Sequence, residues 1–332
     1  KFDLKNSNKI IKKLNFELTN DQKKTLIEIN NDLTSKSKMF RLLQGDVGSG
    51  KTIVSLISAL NVVNSGYQVA LMAPTEILAR QHFALAKKIF PTQINLALLS
   101  SKSENKIKKE IIDNLKTKKI DMVFGTHAIF QKKITFSNLG FIIIDEQHKF
   151  GVRQRKLLSD KGGKNCDVLL MSATPIPRTL TMSIYGDMDI SIIREKPNNR
   201  KEVKTYSKLE SKIEDVINFV RKEIYEGNQI FWVCPLIEVS KKLDHESAVK
   251  KFEYLNKIFP NKVALLHGKI ENEEKEKILN KFLEKKFLIL VSTTIIEVGI
   301  DFPNANVIII ENSNKFGLSQ LHQLRGRVGR GN

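Results

Sequence analysis

A chain of 332 residues, 41% hydrophobic with only 8 prolines, is a globular protein long enough for two domains, which excludes a disordered or fibrous chain. Lys and Arg outnumber Asp and Glu by 55 to 36, and the formal charge of +19 favours a polyanionic partner such as nucleic acid, although scattered lysines are also ordinary solvated surface. Cys166 and Cys234, each beside an apolar run, read as buried free thiols of a reducing compartment rather than a disulfide or metal pair; no apolar run approaches the roughly 18 residues of a membrane span, so a cytoplasmic protein without membrane contact is expected.

In chain order, short apolar runs alternate with longer amphipathic stretches, the pattern of β-α units that build a parallel sheet covered on both faces. "FRLLQ" leads into "GDVGSGKT", and "KTIVSLISALNVVNSG" follows as an amphipathic helix with Gly66 placed to end it. "QVALM" runs into "APTE". The lysine-rich "KSENKIKKEIIDNLKTKK" then sets Ile107, Ile111 and Leu115 about a helical turn apart, with its lysines outward. "DMVF" precedes "GTHA", "FIII" precedes "DEQH", and "DVLLM" precedes "SATP". Strands of a parallel sheet all end at the same edge, so these loops converge on one crevice.

"REKPNNRKE", residues 194 to 202, has linker composition and divides the chain into domains 1–195 and 196–332. Beyond it the pattern repeats: "QIFWVC" then "PLIE", "KVALL" then "HGKI", "FLILV" then "STTIIEVGID", "NVIII" then "ENSN". This repetition reads as architectural, without residue-level identity between the halves, and Trp232 reads as core. The terminal "QLRGRVGRGN", continued as a helix, would put Gln323, Arg327 and Arg330 on one face and Arg325 nearly opposite. Gly326 and Gly329 weaken such a helix by up to about 1 kcal/mol each, so close approach of another group is the better reason for them. Because residue 1 is Lys and chemistry-bearing residues reach the very end, the chain reads as part of a longer protein.

"GDVGSGKT" fits the phosphate-loop pattern GxxxxGK[ST], in the strand-to-helix context it requires. Gly45, Asp46, Val47, Gly48, Ser49 and Gly50 would wrap phosphate oxygens with backbone N–H groups at a helix N-terminus. Lys51 would neutralise the β and γ phosphates, and Thr52 would offer a hydroxyl to Mg²⁺. Past the strand "FIII", two carboxylates beside a polyphosphate call for a cation: Asp145 would hold Mg²⁺, while Glu146 would orient and deprotonate the attacking water. His148 either links the nucleotide to the "SATP" loop or bonds locally. If the second domain closes on the first, Arg327 and Arg330 reach the γ-phosphate as arginine fingers.

The ordered set "FELTNDQ", "GDVGSGKT", "APTEILARQH", "FGTHAIF", "DEQH", "SATPIPRTL", "STTIIEVGID" and "QLRGRVGR" resembles the core of superfamily 2 helicases over nearly the whole chain. The resemblance implies an α/β fold of two tandem RecA-like domains, each a mainly parallel sheet flanked by helices. Within the superfamily, "IIIDEQHKFGVRQR", "MSATPIPRTLTMSIYGDMDIS", "WVCPLIE" and "IIIENSNKFGLSQLHQLRGRVGRG" most resemble the RecG family, ATP-dependent DNA helicases that remodel stalled forks and recombination intermediates. The transcription-repair coupling translocases share related segments but usually read DEEH where this chain has "DEQH".

By this resemblance Phe16 and Gln22 contact adenine, though Phe16 would serve equally as a staple for the helix that follows, and Gln323 joins the nucleotide-binding set. Pro74, Thr75, Arg80, Gly125, Thr126, Thr293 and Thr294 track a DNA backbone without reading sequence. Ser172, Thr174, Gly299 and Asp301 couple nucleotide to DNA, together with His148. ATP and Mg²⁺ are the implied cofactors, and branched or duplex DNA the implied partner of a monomer. The family's N-terminal wedge domain and its segment after the last motif have no counterpart here. A non-catalytic nucleic-acid scaffold and an RNA motor are the competing readings.

Overall fold

A computed structural model describes residues 11, 16–100, 103–131, 133–145, 166–173, 188–195, 203–235, 241–293, 302 and 304–329. Glu146, His148, Thr174, Thr294, Gly299, Asp301 and Arg330, all expected at the site, lie outside the described residues. The chain divides into two compact units, 1–197 and 198–332.

The first unit comprises α1 (Asn20–Thr34), β1 (Phe40–Gly45), α2 (Lys51–Asn64), β2 (Gln68–Met72), α3 (Glu76–Ile89), β3 (Leu96–Leu99), α4 (Asn105–Lys116), β4 (Met122–Gly125), β5 (Leu139–Ile144), β6 (Asp167–Ser172) and β7 (Asp189–Ile193). Its seven strands form one sheet in the order β3-β4-β2-β5-β6-β1-β7, with every pairing parallel. Period-two alternation sends Leu43, Leu71 and Ile143 into a core shared with Ile29 and Ile57 of the helices on one face, and Leu42, Met72 and Ile142 into a second core with Leu115 on the other. At about 1.5–3 kcal/mol for each fully buried Leu or Ile, burial on both faces is what commits these runs to a central sheet. Leu115 of α4 is buried as expected and Ile111 is partly buried, whereas Ile107 is 45% exposed, because the first turn of α4 extends past the core.

Every apolar run read as a strand is one, and the structure adds two edge strands that were not read, β3 with the sequence LALL and β7 with the sequence DISII. β3 is a four-residue edge strand. β7, at the other edge, is held through polar groups: Arg41 of β1, buried, donates from Nε to Asp32 at 2.6 Å and from Nη1 to Ser191 Oγ at 2.9 Å, while Ser191 Oγ donates to Glu28 at 2.5 Å. A buried guanidinium left without acceptors would cost several kcal/mol, so α1 and β7 converge on Arg41 to supply them.

The second unit comprises α5 (Ile213–Tyr225), β8 (Gln229–Val233), α6 (Lys241–Ile258), β9 (Val263–Leu266), α7 (Asn272–Leu283), β10 (Ile289–Ser292), β11 (Ala305–Ile310) and α8 (Leu318–Arg325). Its parallel sheet runs β11-β8-β10-β9. Trp232, fully buried, belongs to its core as expected.

That order matches β5-β2-β4-β3 of the first unit, and the match extends to individual residues, contrary to the expectation of a purely architectural repeat. Gln68 opens β2 and donates to the carbonyls of Leu115 (2.9 Å) and Ile120 (2.8 Å); Gln229 opens β8 and donates to those of Phe282 (2.5 Å) and Phe287 (2.8 Å). Each follows a left-handed glycine, Gly66 at φ 83° and Gly227 at φ 81°. Each also donates its backbone N–H to an asparagine carbonyl, that of Asn138 or Asn304. The segments starting there, "NLGFIIID" and "NANVIIIE", therefore correspond, and Asp145 has a counterpart in Glu311. The shared positions are few and the segments between them differ in length, so no fixed period shows in the sequence. Among the described residues no helix is long and apolar enough to cross a membrane.

Candidate functional site

The loop after β1 turns through two left-handed glycines, Gly48 at φ 79° and Gly50 at φ 88°, the latter being the N-cap of α2. Val47 N donates to Asp46 Oδ1 at 2.8 Å and Ser49 N to the Asp46 carbonyl at 3.1 Å, which fixes the curl. Lys51 is buried, and its ammonium caps the loop's own carbonyls, Gly45 O at 2.7 Å and Asp46 O at 3.0 Å. A Cβ on Gly45 would lie 2.6 Å from Ser49 Oγ and 2.9 Å from the Ile193 carbonyl, and one on Gly50 would collide with the Gln22 amide. Ser49 Oγ is buried without a hydrogen-bond partner. A cradle with no room for a side chain, an orphaned hydroxyl within it, and an ammonium and hydroxyl at the start of a helix fit a polyphosphate.

Gln22 is tied into the first unit through both ends of its amide. Its Oε1 closes the cap of α1 and its Nε2 donates to the Ser49 carbonyl at 2.7 Å, so the same amide ties the helix start to the phosphate loop. Phe16 is exposed, which leaves its ring free for stacking and shows no staple. Asp21 adds a clasp to the far end of the unit: Oδ2 accepts from Arg194 N (2.7 Å) and Glu195 N (3.0 Å), and Asp21 N donates to Glu195 Oε2 (3.2 Å). The backbone N–H of Glu195, then that of Arg194, hold the Asp21 carboxyl below the usual carboxylate range.

Asp145 emerges from β5 on the edge where the loops of β1, β2, β4 and β6 also emerge, as the parallel registers require. It is buried, its N–H donates to the Met72 carbonyl at 2.8 Å, and its Oδ2 lies 2.8 Å from Nε2 of His82, a buried residue of α3. Sequence reasoning missed His82. The residue stands alone in an amphipathic helix, 63 positions from its partner, and only its place in the quoted "APTEILARQH" hinted at a role. Ser172 is fully buried at the end of β6, and Thr293 is buried just after β10.

Of the expected backbone-tracking residues, Thr75 is the N-cap of α3, accepting from Leu78 N at 3.4 Å, and Pro74 precedes it half-buried. Arg80 is exposed and paired with Glu76 at 2.8 Å; Glu76 also accepts from Ser100. Gly125 ends β4 where a Cβ would come within 2.6 Å of the Leu99 carbonyl, and Thr126 follows it. These groups share the strand-end edge of the first unit with the phosphate loop.

In the second unit α8 stops at Arg325, where Gly326 forms the C-cap, and the chain then turns through Gly329 at φ 72°. Gln323 and Arg327 therefore do not continue along one helical face as expected; the glycines break the helix there. Gln323 is half-buried, Arg327 is buried at 3% exposure, and Arg325 bonds the Val203 carbonyl at 3.0 Å. Glu311 collects Lys251 Nζ at 2.6 Å and Trp232 Nε1 at 3.0 Å, and lies beside the fully buried Cys234. Burial first, then the Glu311 charge, pushes the Cys234 thiol up to about 12, so it stays protonated. Among the described residues no three His, Cys, Asp or Glu side chains gather as a metal cluster.

The family model for the DEAD/DEAH box helicase matches residues 19–183, and that for the helicase conserved C-terminal domain matches residues 211–332. With the two parallel-sheet units, these matches define the chain as a superfamily 2 helicase core of two RecA-like domains. Across its whole length the chain is 50% identical to the ATP-dependent DNA helicase RecG of Thermotoga maritima, covering 43% of that protein, and over 97% of its length it is 52% identical to RecG of Aquifex aeolicus, covering 41%. A solved structure of RecG bound to a three-way DNA junction matches with a TM-score of 0.86 at 46% identity, over 100% of this chain and 44% of that one. The chain belongs to the RecG family, and it spans less than half the length of the relatives it matches.

Proposed function

We propose that this chain is the motor core of a RecG-type DNA helicase, coupling ATP hydrolysis to movement along duplex DNA and to remodelling of stalled forks and recombination intermediates. The observation that carries the proposal is the 50% identity to RecG over the full chain, with a phosphate loop and a buried acidic strand end on one sheet edge. The formal charge of +19 suits a polyanionic track.

In this reading the N–H groups of residues 45–52 bind the phosphates and Lys51 exchanges its loop carbonyls for phosphate oxygens. Thr52 and Asp145 fit Mg²⁺, a hard cation that takes few protein oxygens and keeps phosphate and water ligands, so the absence of a multi-carboxylate cluster among the described residues is in keeping with it. Bound there, the ion would supply charge neutralisation on the phosphates. Glu146 takes the proton of the attacking water, and Arg327 and Arg330 bring positive charge to the γ-phosphate. Pro74, Thr75, Arg80, Gly125, Thr126, Thr293 and Thr294 hold DNA phosphates, and Ser172, Thr174, Gly299, Asp301 and His148 pass the nucleotide state to them. Phe16 stacks on adenine, and Gln22 and Gln323 complete the nucleotide set.

The test is ATP turnover by the full-length protein with duplex, forked and single-stranded DNA and single-stranded RNA. DNA should stimulate it, branched DNA most, and Lys51→Ala should abolish it. Turnover that survives in Lys51→Ala, or that responds to RNA alone, refutes the proposal.

A further inference from the structure

Glu76 and Arg80 stand four residues apart on α3, and on an open helix face such a pair contributes little. This pair is not on an open face. The Glu76 side chain is 13% exposed, and the Oε1 that accepts from Arg80 Nη2 at 2.8 Å also accepts from Ser100 Oγ. Ser100 directly follows β3, is 4% exposed and stands 24 positions from Glu76 in the chain. Its Oγ lies 3.5 Å from the same Nη2. Groups from the start of α3 and the end of β3 thus converge on one nitrogen of the guanidinium. The Arg80 side chain remains 51% exposed, and among the described residues its Nε and Nη1 have no partner. A guanidinium carries five N–H donors in a rigid plane, so fixing Nη2 fixes where the others point.

We propose that Glu76, together with Ser100, is a positioning residue for the DNA track: it holds Arg80 by one nitrogen so that the remaining donors meet a backbone phosphate already ordered. A free arginine loses its rotamer freedom when it grips a phosphate, whereas a tethered one has lost it on folding. Glu76 is the more buried partner, and its negative charge opposes the phosphate, so it assists binding through geometry alone. That fixes the sign of its effect. Deleting a carboxylate that is merely nearby strengthens DNA binding, and deleting one that positions Arg80 weakens it. The same tie joins α3 to the end of β3, where Gly125 of β4 packs so close to the Leu99 carbonyl that a Cβ would lie 2.6 Å from it. Arg80, Ser100 and the segment ending in Thr126 are thereby set on one rigid part of the sheet edge. The inference rests on the DNA reading of Arg80 given above.

The experiment titrates the full-length protein into a fluorescent forked duplex over a series of salt concentrations, with Tm recorded for each variant. Arg80→Ala should weaken binding and lower the slope of log K against log salt by about 0.9, the share of one phosphate contact. Glu76→Ala should weaken binding by about 2- to 10-fold, the range that ordering one long side chain supplies, and lower the slope likewise, although it removes a negative charge. Ser100→Ala keeps every charge and removes only a hydroxyl, so it carries the test even where Glu76→Ala fails to fold; it should shift affinity the same way. Glu76→Gln retains an acceptor oxygen and should restore most of the loss. The double variant of Glu76→Ala with Arg80→Ala should bind no more weakly than Arg80→Ala, because Glu76 acts through Arg80. Unchanged or tighter binding in Glu76→Ala and Ser100→Ala overturns the inference, as does a double variant weaker than Arg80→Ala, which marks a role in the fold of α3. If Arg80→Ala itself binds as wild type does, the DNA reading of Arg80 falls; if Arg80→Ala is weakened while Glu76→Ala and Ser100→Ala are not, only the positioning role falls.

Discussion

Gly50 stands in left-handed backbone, φ 88°, with the Gln22 amide where its side chain would be. Gly50→Ala meets both obstacles: the left-handed conformation costs an L-residue about 1–2 kcal/mol, and the new methyl displaces the hydrogen bond from Gln22 to Ser49. Nucleotide affinity should drop by about tenfold, the equivalent of 1.4 kcal/mol, in a fluorescent-nucleotide titration; an unchanged affinity would show that the curl of this loop does not govern binding. The strand, tight loop and helix around Lys51 were legible in the sequence, since GxxxxGK[ST] between an apolar run and an amphipathic stretch marks that turn by spacing alone. That Gln22 ties the helix start to this loop was not legible, because the internal bonds of an amide are set by packing and not by spacing.

At the scale of elements, the clasp between Asp21 and residues 194 and 195 joins the first helix to the end of β7. The Asp21 carboxyl is depressed in the fold by the N–H groups of Glu195 and Arg194, so its contribution to stability is present above the unfolded value near 3.9 and is lost as pH falls through the folded value. Asp21→Asn should lower Tm at neutral pH by about 2–4 °C, the shift that accompanies about 1 kcal/mol in a unit of this size. The gap from wild type should close under acid. A gap that persists unchanged below pH 4 would assign the effect to something other than this carboxylate. Strand β7, DISII, was not read because Asp189 and Ser191, which bond Arg41, interrupt its apolar residues, although Ile193 packs into the core. Helix α8 was read as too long because spacing alone does not show that Gly326 and Gly329 terminate it.

For the whole molecule, the phosphate loop belongs to the first unit and the single tryptophan of the chain, Trp232, to the core of the second. If Arg327 and Arg330 engage the same nucleotide, a non-hydrolysable ATP analogue must stabilise both units. At a hundredfold excess over Kd this linkage amounts to about 2.7 kcal/mol. Trp232 emission during thermal unfolding should then report a midpoint raised by several degrees, and Arg327→Ala should remove the rise. A shift seen by circular dichroism but not by Trp232 would confine binding to the first unit.

The sequence by itself determined that there are two α/β units, which runs are central strands, and where the glycine-rich loop of β1 and an acidic strand end lie, because these follow from local spacing and from period-two burial. Only the tertiary structure decided that His82 meets Asp145, that Gln68 and Gln229 play the same part in their units, and that Glu311 answers to Asp145. Those relations join residues far apart in the chain through hydrogen bonds between buried groups. Such bonds leave no periodic trace, since each needs one suitable atom in one place rather than a pattern along the chain.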